Sequence, residues 1–363
     1  MKMWLTLLLC LLSQARLISS ESCPGKSVFF PCQCEYSSSE VGLICKKVDG
    51  QIIETVFNEV SKLKNVYKNF DFFQISNASV LKLSENILGD LKFASIFIFD
   101  SNITQLDRNA LKSSHKEVEE LILQQISFIG WLRDGNYLFE ILKQFENLRK
   151  LSITNTNLKS IPENAFLRFN ATQEKLFWIN LSHNKIQNVG DFAFYELTNL
   201  QTIDLSYNRI KHISKDTFAF WKNNSLEIKI DLSNNFLSTK CFEFAAFSNA
   251  KRNMFLNLAF NNITHLEESI FASILRDSSN RIVVNNNPFV CNCKNAWIIK
   301  DRKRVERSLL GLYCEDGNAI FERNVNDYHY CSLKNVDIED NICGCSTLKM
   351  VHFLWKIVAL AVK

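Results

Sequence analysis

Glycine and proline are scarce in this chain, 10 and 4 among 363 residues, whereas phenylalanine numbers 29 and hydrophobic residues make up 47%. A chain so composed has enough apolar material for a continuous core and is not disordered. Charge of one sign is also lacking. The formal net charge of +4 is too small to suggest a nucleic-acid partner, because phosphate binding needs its cations gathered on one face. Local signatures of catalysis are missing too: there is no Gly-x-Ser-x-Gly, no His-Glu-x-x-His, no phosphate-cradling glycine loop and no recognisable carboxylate pair, and the six histidines are scattered. Neither a catalytic residue nor a cofactor nor a metal is therefore expected. An enzyme would need a site assembled from distant residues, which leaves no local motif.

Lys2 precedes an apolar stretch from Met3 to Leu12 that is followed by small residues, the pattern of a secretory signal peptide. Cleavage after Ala15 and after Ser20 both fit, and Cys10 leaves with the signal in either case. An uncleaved anchor would need roughly 18 apolar residues, more than this run supplies. The mature cysteines gather at the ends, with Cys23, Cys32, Cys34 and Cys45 early and Cys291, Cys293, Cys314 and Cys331 late. In an oxidising compartment two such sets read as two disulfide caps. Zinc is disfavoured by the Cys-x-Cys spacing of the late set. Cys241 is left over as a buried small residue, and the partners of Cys343 and Cys345 stay open.

Between the cysteine clusters the chain repeats itself. Leu176-x-x-Ile179-x-Leu181-x-x-Asn184-x-Ile186 and Leu200-x-x-Ile203-x-Leu205-x-x-Asn208-x-Ile210 agree at every defined position, 24 residues apart. Further copies centre on Ile230, Leu256 and Ile282, and weaker ones begin at Phe70, Ile96, Leu121 and Leu151. The result is about nine repeats, with the period of leucine-rich repeats. Alternating apolar residues such as Ile203 and Leu205 point one way from a short strand, and Asp204 points the other. The asparagine that follows sits at a bend, where its amide can satisfy backbone groups of neighbouring turns. At that position the early copies carry Ile75, Ser101, Ile126 and Thr156, so the N-terminal half is expected to be less regular. The stretch from Leu81 to Leu88 also fits the motif but lies too close to Ile96 to be a repeat, and is read as convex-side sequence. Phe166, Phe192 and Phe218 are expected to form a packed phenylalanine spine.

These residues resemble the extracellular leucine-rich-repeat family bounded by cysteine-rich caps. The resemblance rests on Cys23-Pro24, Pro31-Cys32-Gln33-Cys34 and Cys45 at one end, and on the segment from Asn287 through Pro288 to Cys293, with Trp297, at the other. Within that family the chain is most similar to arthropod secreted members of the luciferase-associated, non-catalytic type. The resemblance implies an α/β leucine-rich-repeat solenoid, right-handed, with parallel concave strands and disulfide-bonded caps. It implies the bridges Cys23–Cys34, Cys32–Cys45, Cys291–Cys314 and Cys293–Cys331, where spacing alone allows three pairings for each cap. The expected order is a signal peptide over residues 1–20, an N-terminal cap over 21–60, repeats over 61–287, a C-terminal cap over 288–332 and a weakly apolar tail over 333–363.

Binding is the expected function, to an extracellular protein or glycan through the concave face. The alternative is a companion subunit of a secreted enzyme. Concave candidates are Phe73, Phe97, Phe99 and Ile122 as an apolar patch, and Asp204, Tyr207 and Asp231, with Ser206 and Ser233, as a polar acidic one. Irregular early repeats would instead bury those phenylalanines. Lys300, Arg302, Lys303, Arg304 and Arg307 could hold a sulfated glycan or an anionic surface, or form an ordinary solvated helix face. His183 and His212 read as surface histidines. Sequons at Asn77, Asn102, Asn170, Asn180, Asn223 and Asn262 fit a secreted glycoprotein, and a glycan on Asn180 would block part of the concave face. The tail ends in an apolar run over residues 350–362, interrupted by His352 and Lys356. It is short for a span; a lipid-anchor signal, through which membrane association would come, an amphipathic cap helix and a truncated membrane segment are the readings it allows.

Overall fold

The computed structural model describes Cys23, residues 27–37, 39–64, 66–128, 136–168 and 174–332. The expected signal peptide and tail, with Cys343 and Cys345, lie outside the described residues. The chain divides into two compact units, residues 1–158 with 175–180, and residues 159–174 with 181–363.

The first unit opens with an antiparallel hairpin, β1 (Gln33–Ser37) and β2 (Glu40–Lys46), pinned by the Cys23–Cys34 and Cys32–Cys45 disulfides. Helix α1 (Gly50–Ser61) follows, started by Asp49, whose side chain accepts from the Gln51 N–H at 2.7 Å. It buries Ile53, Phe57 and Val60. Beyond it, β3 (Asn69–Ser76), β5 (Lys92–Phe99), β7 (Glu120–Gln124), β9 (Lys150–Thr154) and β11 (Trp178–Asn180) pair in parallel, one per repeat. Between them run β4 (Ser79–Leu83), β6 (Asn102–Leu106) and β8 (Ser127–Phe128), which form a second parallel sheet, and the short helix α2 (Asn136–Leu142) follows β8. The sequence from Leu81 to Leu88 thus contributes to β4 and is no repeat strand of its own.

The register corrects the first repeat. Phe73 pairs with Ile96 and Ile75 with Ile98, so the inward strand residues are Phe73 and Ile75, and the repeat starts three residues later than the sequence pattern suggests. Phe70 takes the place that Leu176 and Leu200 hold in later copies: it is 4% exposed and stacks on Phe93 at 5.5 Å. A three-residue step precedes the two-residue alternation in this motif, and a run of phenylalanines hides which step is which. The residue at the bend becomes Ala78 in place of Ile75, and the outward one between the inward pair becomes Gln74 in place of Asp71.

In the second unit, β13 (Thr202–Asp204), β14 (Ile228–Asp231), β15 (Met254–Asn257), β16 (Arg281–Val283) and β17 (Leu309–Leu310) pair in parallel; β10 (Ser160–Ile161) and β12 (Asn188–Val189) form a separate pair. The asparagine ladder is here. Asn208, Asn235, Asn261 and Asn287 each accept the N–H of Ile186, Ile210, Leu237 or Ile263 in the preceding turn, at 2.9 to 3.0 Å. Their amide nitrogens donate to carbonyls of their own turn and of the one before, as Asn235 does to Leu232 at 3.1 Å and Leu205 at 3.0 Å. The first unit lacks these asparagines. Ser101 accepts from the Ala78 N–H at 3.1 Å, and the second sheet satisfies backbone beyond the bends.

The spine stacks Phe166, Phe194, Phe218, Phe247 and Phe271 at centroid distances of 6.0 to 6.2 Å. Phe194 replaces the expected Phe192, because the spine residue follows the preceding buried aliphatic, here Val189, by five positions, as Phe218 follows Ile213. The C-terminal cap adds α3 (Glu268–Leu275) in the last repeat, then α4 (Ala296–Lys300) and α5 (Arg302–Val305). Trp297 donates its indole N–H to Leu266 O at 2.8 Å, and the Cys291–Cys314 and Cys293–Cys331 bridges close the cap. All four expected pairings are present, and Cys241 is a buried thiol.

Candidate binding surface

Each repeat presents outward side chains on its strand and one more at the turn that leaves it. In the first unit the strand positions carry Phe72, Phe97, Phe99 and Ile122, all half-buried. The rings of Phe72 and Phe97 lie 6.4 Å apart, and those of Phe97 and Phe99 stack at 6.2 Å with 11° between their planes. Gly42 makes room for the first of them: a Cβ there would fall 2.2 Å from the Phe72 ring. Phe73 is not part of this row. It is 0% exposed and packs against Phe57 and Phe93 at 5.5 and 5.0 Å, since strand alternation turns it inward where Phe72 turns outward. Phe97 and Phe99 are half-buried and lie in one row with Phe72. Phe72 escaped sequence reasoning through the misplaced first repeat.

In the second unit Asp204 accepts from the Ser206 N–H at 2.9 Å. Asp231 accepts from the Ser233 N–H at 2.8 Å and from the Asn257 amide at 3.0 Å. The acidic patch is thus partly committed to its own backbone, and Ser206 and Ser233 are buried. Tyr207 is 51% exposed and stacks on His183, centroids 4.3 Å apart.

Tyr207 belongs to a turn position whose φ is positive in every repeat: Asn77, Asp100, Gln125, Asn155, His183, Tyr207, Asn234, Phe260 and Asn286 all lie between 47° and 56°. Asn, Asp and His tolerate that region best. Tyrosine and phenylalanine do not, which singles out Tyr207 and Phe260. The signal was present in the sequence as the residue directly before each buried asparagine. Phe236, Phe244 and Trp221 are further exposed aromatics that sequence reasoning missed.

The basic run folds into α4, α5 and the turn beyond, and borders an open groove with Arg323, Asn324 and Val325. Arg302 is held by Glu306 at 2.9 Å, which raises its pKa, and donates to Phe321 O at 2.5 Å. Lys303, Arg304 and Arg307 are exposed, with no ion pair among the described residues. Lys300 is exposed as well. His212 faces Glu243 at 3.1 Å, and His115 packs against Phe145 with its pKa lowered by burial. No group of three or more metal-ligating side chains occurs among the described residues, and no described helix is long and apolar enough to cross a membrane. Of the sequons, Asn77, Asn102, Asn223 and Asn262 are exposed and Asn180 is half-buried within β11; Asn170 lies outside the described residues.

A family model described as leucine rich repeat matches residues 174–237. The chain is 21% identical over 326 residues to the Oplophorus-luciferin 2-monooxygenase non-catalytic subunit of Oplophorus gracilirostris, covering 82% of this chain and 85% of the relative. Similarity to keratocan of Mus musculus is 30% over 35% of this chain and 40% of the relative. For lumican of Oryctolagus cuniculus the figures are 26%, 44% and 83%. Among solved structures, a chain of the octameric complex of Latrophilin 3, Unc5D and FLRT2 superposes with a TM-score of 0.52 at 20% identity, over 84% of this chain and 98% of that one. The fold is the leucine-rich-repeat solenoid with disulfide caps, and the similar proteins are of the extracellular kind.

Proposed function

We propose that this leucine-rich-repeat chain is secreted and works by binding a protein partner, without catalysis of its own, through the outward strand face of its first unit. The observation that carries this is the row Phe72, Phe97, Phe99, in which Phe97 contacts the ring on either side of it and Ile122 lies beside Phe97 on the next strand. Aromatic anchors on a rigid sheet are ordered before binding, so little conformational entropy is lost when a partner covers them. Asp204, Asp231 and Tyr207 form a second, polar contact region, and the Lys300, Lys303, Arg304 and Arg307 cluster would hold an anionic group such as a glycan sulfate.

A second reading is a companion subunit of a secreted enzyme. The likeness to a relative named as a non-catalytic subunit supports it, since it runs over 82% of this chain and 85% of that one. Affinity capture with the secreted chain from its native fluid separates the two: an enzyme recovered in stoichiometric amount supports the companion role, and a non-enzymatic protein the simpler one. Replacing Phe97 and Phe99 with Ser tests the surface. Secretion is expected to persist and affinity to fall by about 2 kcal/mol or more, as hot-spot truncation does. Unchanged affinity would remove the aromatic row from the interface.

A further inference from the structure

Phe260 stands at a turn position with φ of +55°, where backbone sterics favour asparagine, and it is 53% exposed. A bulky aromatic in a costly conformation, with about half of its surface in solvent, calls for something to cover it. The next residue, Asn261, turns into the ladder at 5% exposure, leaving Phe260 and Asn262, both exposed, as its two chain neighbours. Asn262 begins the sequon Asn262-Ile263-Thr264 and is exposed. The preceding turn carries Phe236, 49% exposed, at the position equivalent to Asn262. The equivalence is fixed by matching hydrogen bonds, Phe236 N–H to Ile210 O at 3.0 Å and Asn262 N–H to Leu237 O at 2.8 Å. The sequon asparagine thus has one exposed ring two residues before it in the chain and another at the equivalent position of the preceding turn.

We propose that Asn262 carries an N-linked glycan whose first N-acetylglucosamine packs its apolar face on the Phe260 ring, with Phe236 beside it, so that these two rings seat the chain's own sugar and are not free for a protein partner. The electron-rich ring face and the axial C–H groups of a pyranose are complementary, and both surfaces leave water. Asn180 is the contrast: it is the last residue of β11, it is half-buried, and Leu181 and Ser182 after it are buried. Glycosylation needs an accessible loop, which Asn262 offers and Asn180 does not. This inference rests on the secretory reading above, and the test separates the two.

The full chain is expressed in a eukaryotic secretory host and its glycopeptides are mapped by mass spectrometry, with Phe260→Leu, Phe236→Leu and Asn262→Gln variants alongside. Asn262 is expected to be occupied. The N-acetyl methyl proton resonance of its first sugar is expected upfield of the free-glycan position through the ring current of Phe260, and back near that position in Phe260→Leu, which keeps an apolar side chain but no ring. Asn262→Gln is expected to bind more of a hydrophobic dye than wild type, and to lose that increment when Phe260 and Phe236 are also changed to Ser. Modification at Asn77 or Asn102 with Asn262 bare would overturn the glycan seat and leave secretion standing. No modification at any sequon would overturn both. An occupied Asn262 with the same methyl shift in wild type and Phe260→Leu would overturn the packing.

Discussion

Removing one rung of the asparagine ladder gives a measurable loss at a known place. Asn235 is 5% exposed; its oxygen accepts the Ile210 N–H at 2.9 Å, and its nitrogen donates to Leu205 O at 3.0 Å and Leu232 O at 3.1 Å. The two carbonyls are each served twice, Leu205 O also by Asn208 at 3.1 Å and Leu232 O also by Asn261 at 3.0 Å. Asn235→Ala therefore leaves the carbonyls bonded and orphans one buried group, the Ile210 N–H. An orphaned buried donor costs about 1 to 3 kcal/mol, and each of the two redundant bonds lost adds roughly half a kcal/mol, so a destabilisation of about 2 to 4 kcal/mol is expected. Because repeats contact mainly their neighbours, the loss should be concentrated locally. Urea unfolding of the oxidised, secreted chain gives the global figure. Hydrogen exchange gives the location, with the Ile210 amide losing protection before amides in β16 do. A change under about 0.5 kcal/mol with Ile210 still protected would refute the claim that the ladder holds this turn.

Four further outcomes follow from the same structure. Gly42→Val would place side-chain atoms where the Phe72 ring lies, 2.2 Å from the first added carbon, so the ring is expected to lift and partner affinity to fall with secretion intact; unchanged affinity would take Phe72 out of the interface. Cys291→Ser with Cys314→Ser opens a bridge spanning 23 residues and should cost about 2 to 5 kcal/mol in thermal or urea unfolding. Charge reversal at Lys303, Arg304 and Arg307 is expected to lower the salt concentration at which the chain leaves an immobilised sulfated glycan, and equal elution would leave the run a solvated surface. His115 is held neutral by burial, so its folded pKa lies below its unfolded value of about 6.5. The unfolded chain then binds the proton first, and stability present above pH 6.5 is lost as pH falls toward the folded pKa. His115→Phe should flatten that limb of a stability-against-pH curve.

What the sequence disclosed and what it hid have a common cause. Strict copies such as the one from Leu200 to Ile210 reveal strand, bend and ladder at once, because each defined position has one physical task. The disulfide pattern followed from the resemblance of the caps. Where one residue type fills several tasks, the pattern goes silent: Phe70, Phe72 and Phe73 are an edge residue of the motif, an outward residue and a core residue, and only the pairing of Phe73 with Ile96 separates them. Phe192 and Phe194 are confused for the same reason. Surface features were least legible, since the exposure of Phe236 and Phe260, and the commitment of Asp204 to the Ser206 N–H, depend on neighbours from other turns.

The turn donors all point one way along the chain. The N–H of His183 reaches Ser206 O, that of Tyr207 reaches Ser233 O, that of Asn234 reaches Ala259 O and that of Phe260 reaches Asn285 O, each in the turn that follows. A ribosome releases these turns in the same order, so each newly emerged turn waits with unfilled donors until its successor arrives. The waiting ends at β17, where Ser308 O and Leu310 O take the N–H groups of Ile282 and Val284, and among the described residues no strand follows β17 in this sheet. The last two residues of sheet thus work as a stop on growth. A chain cut before Ser308 would end in the longer, unpaired parallel edge of β16 and would be expected to associate more readily than the intact chain.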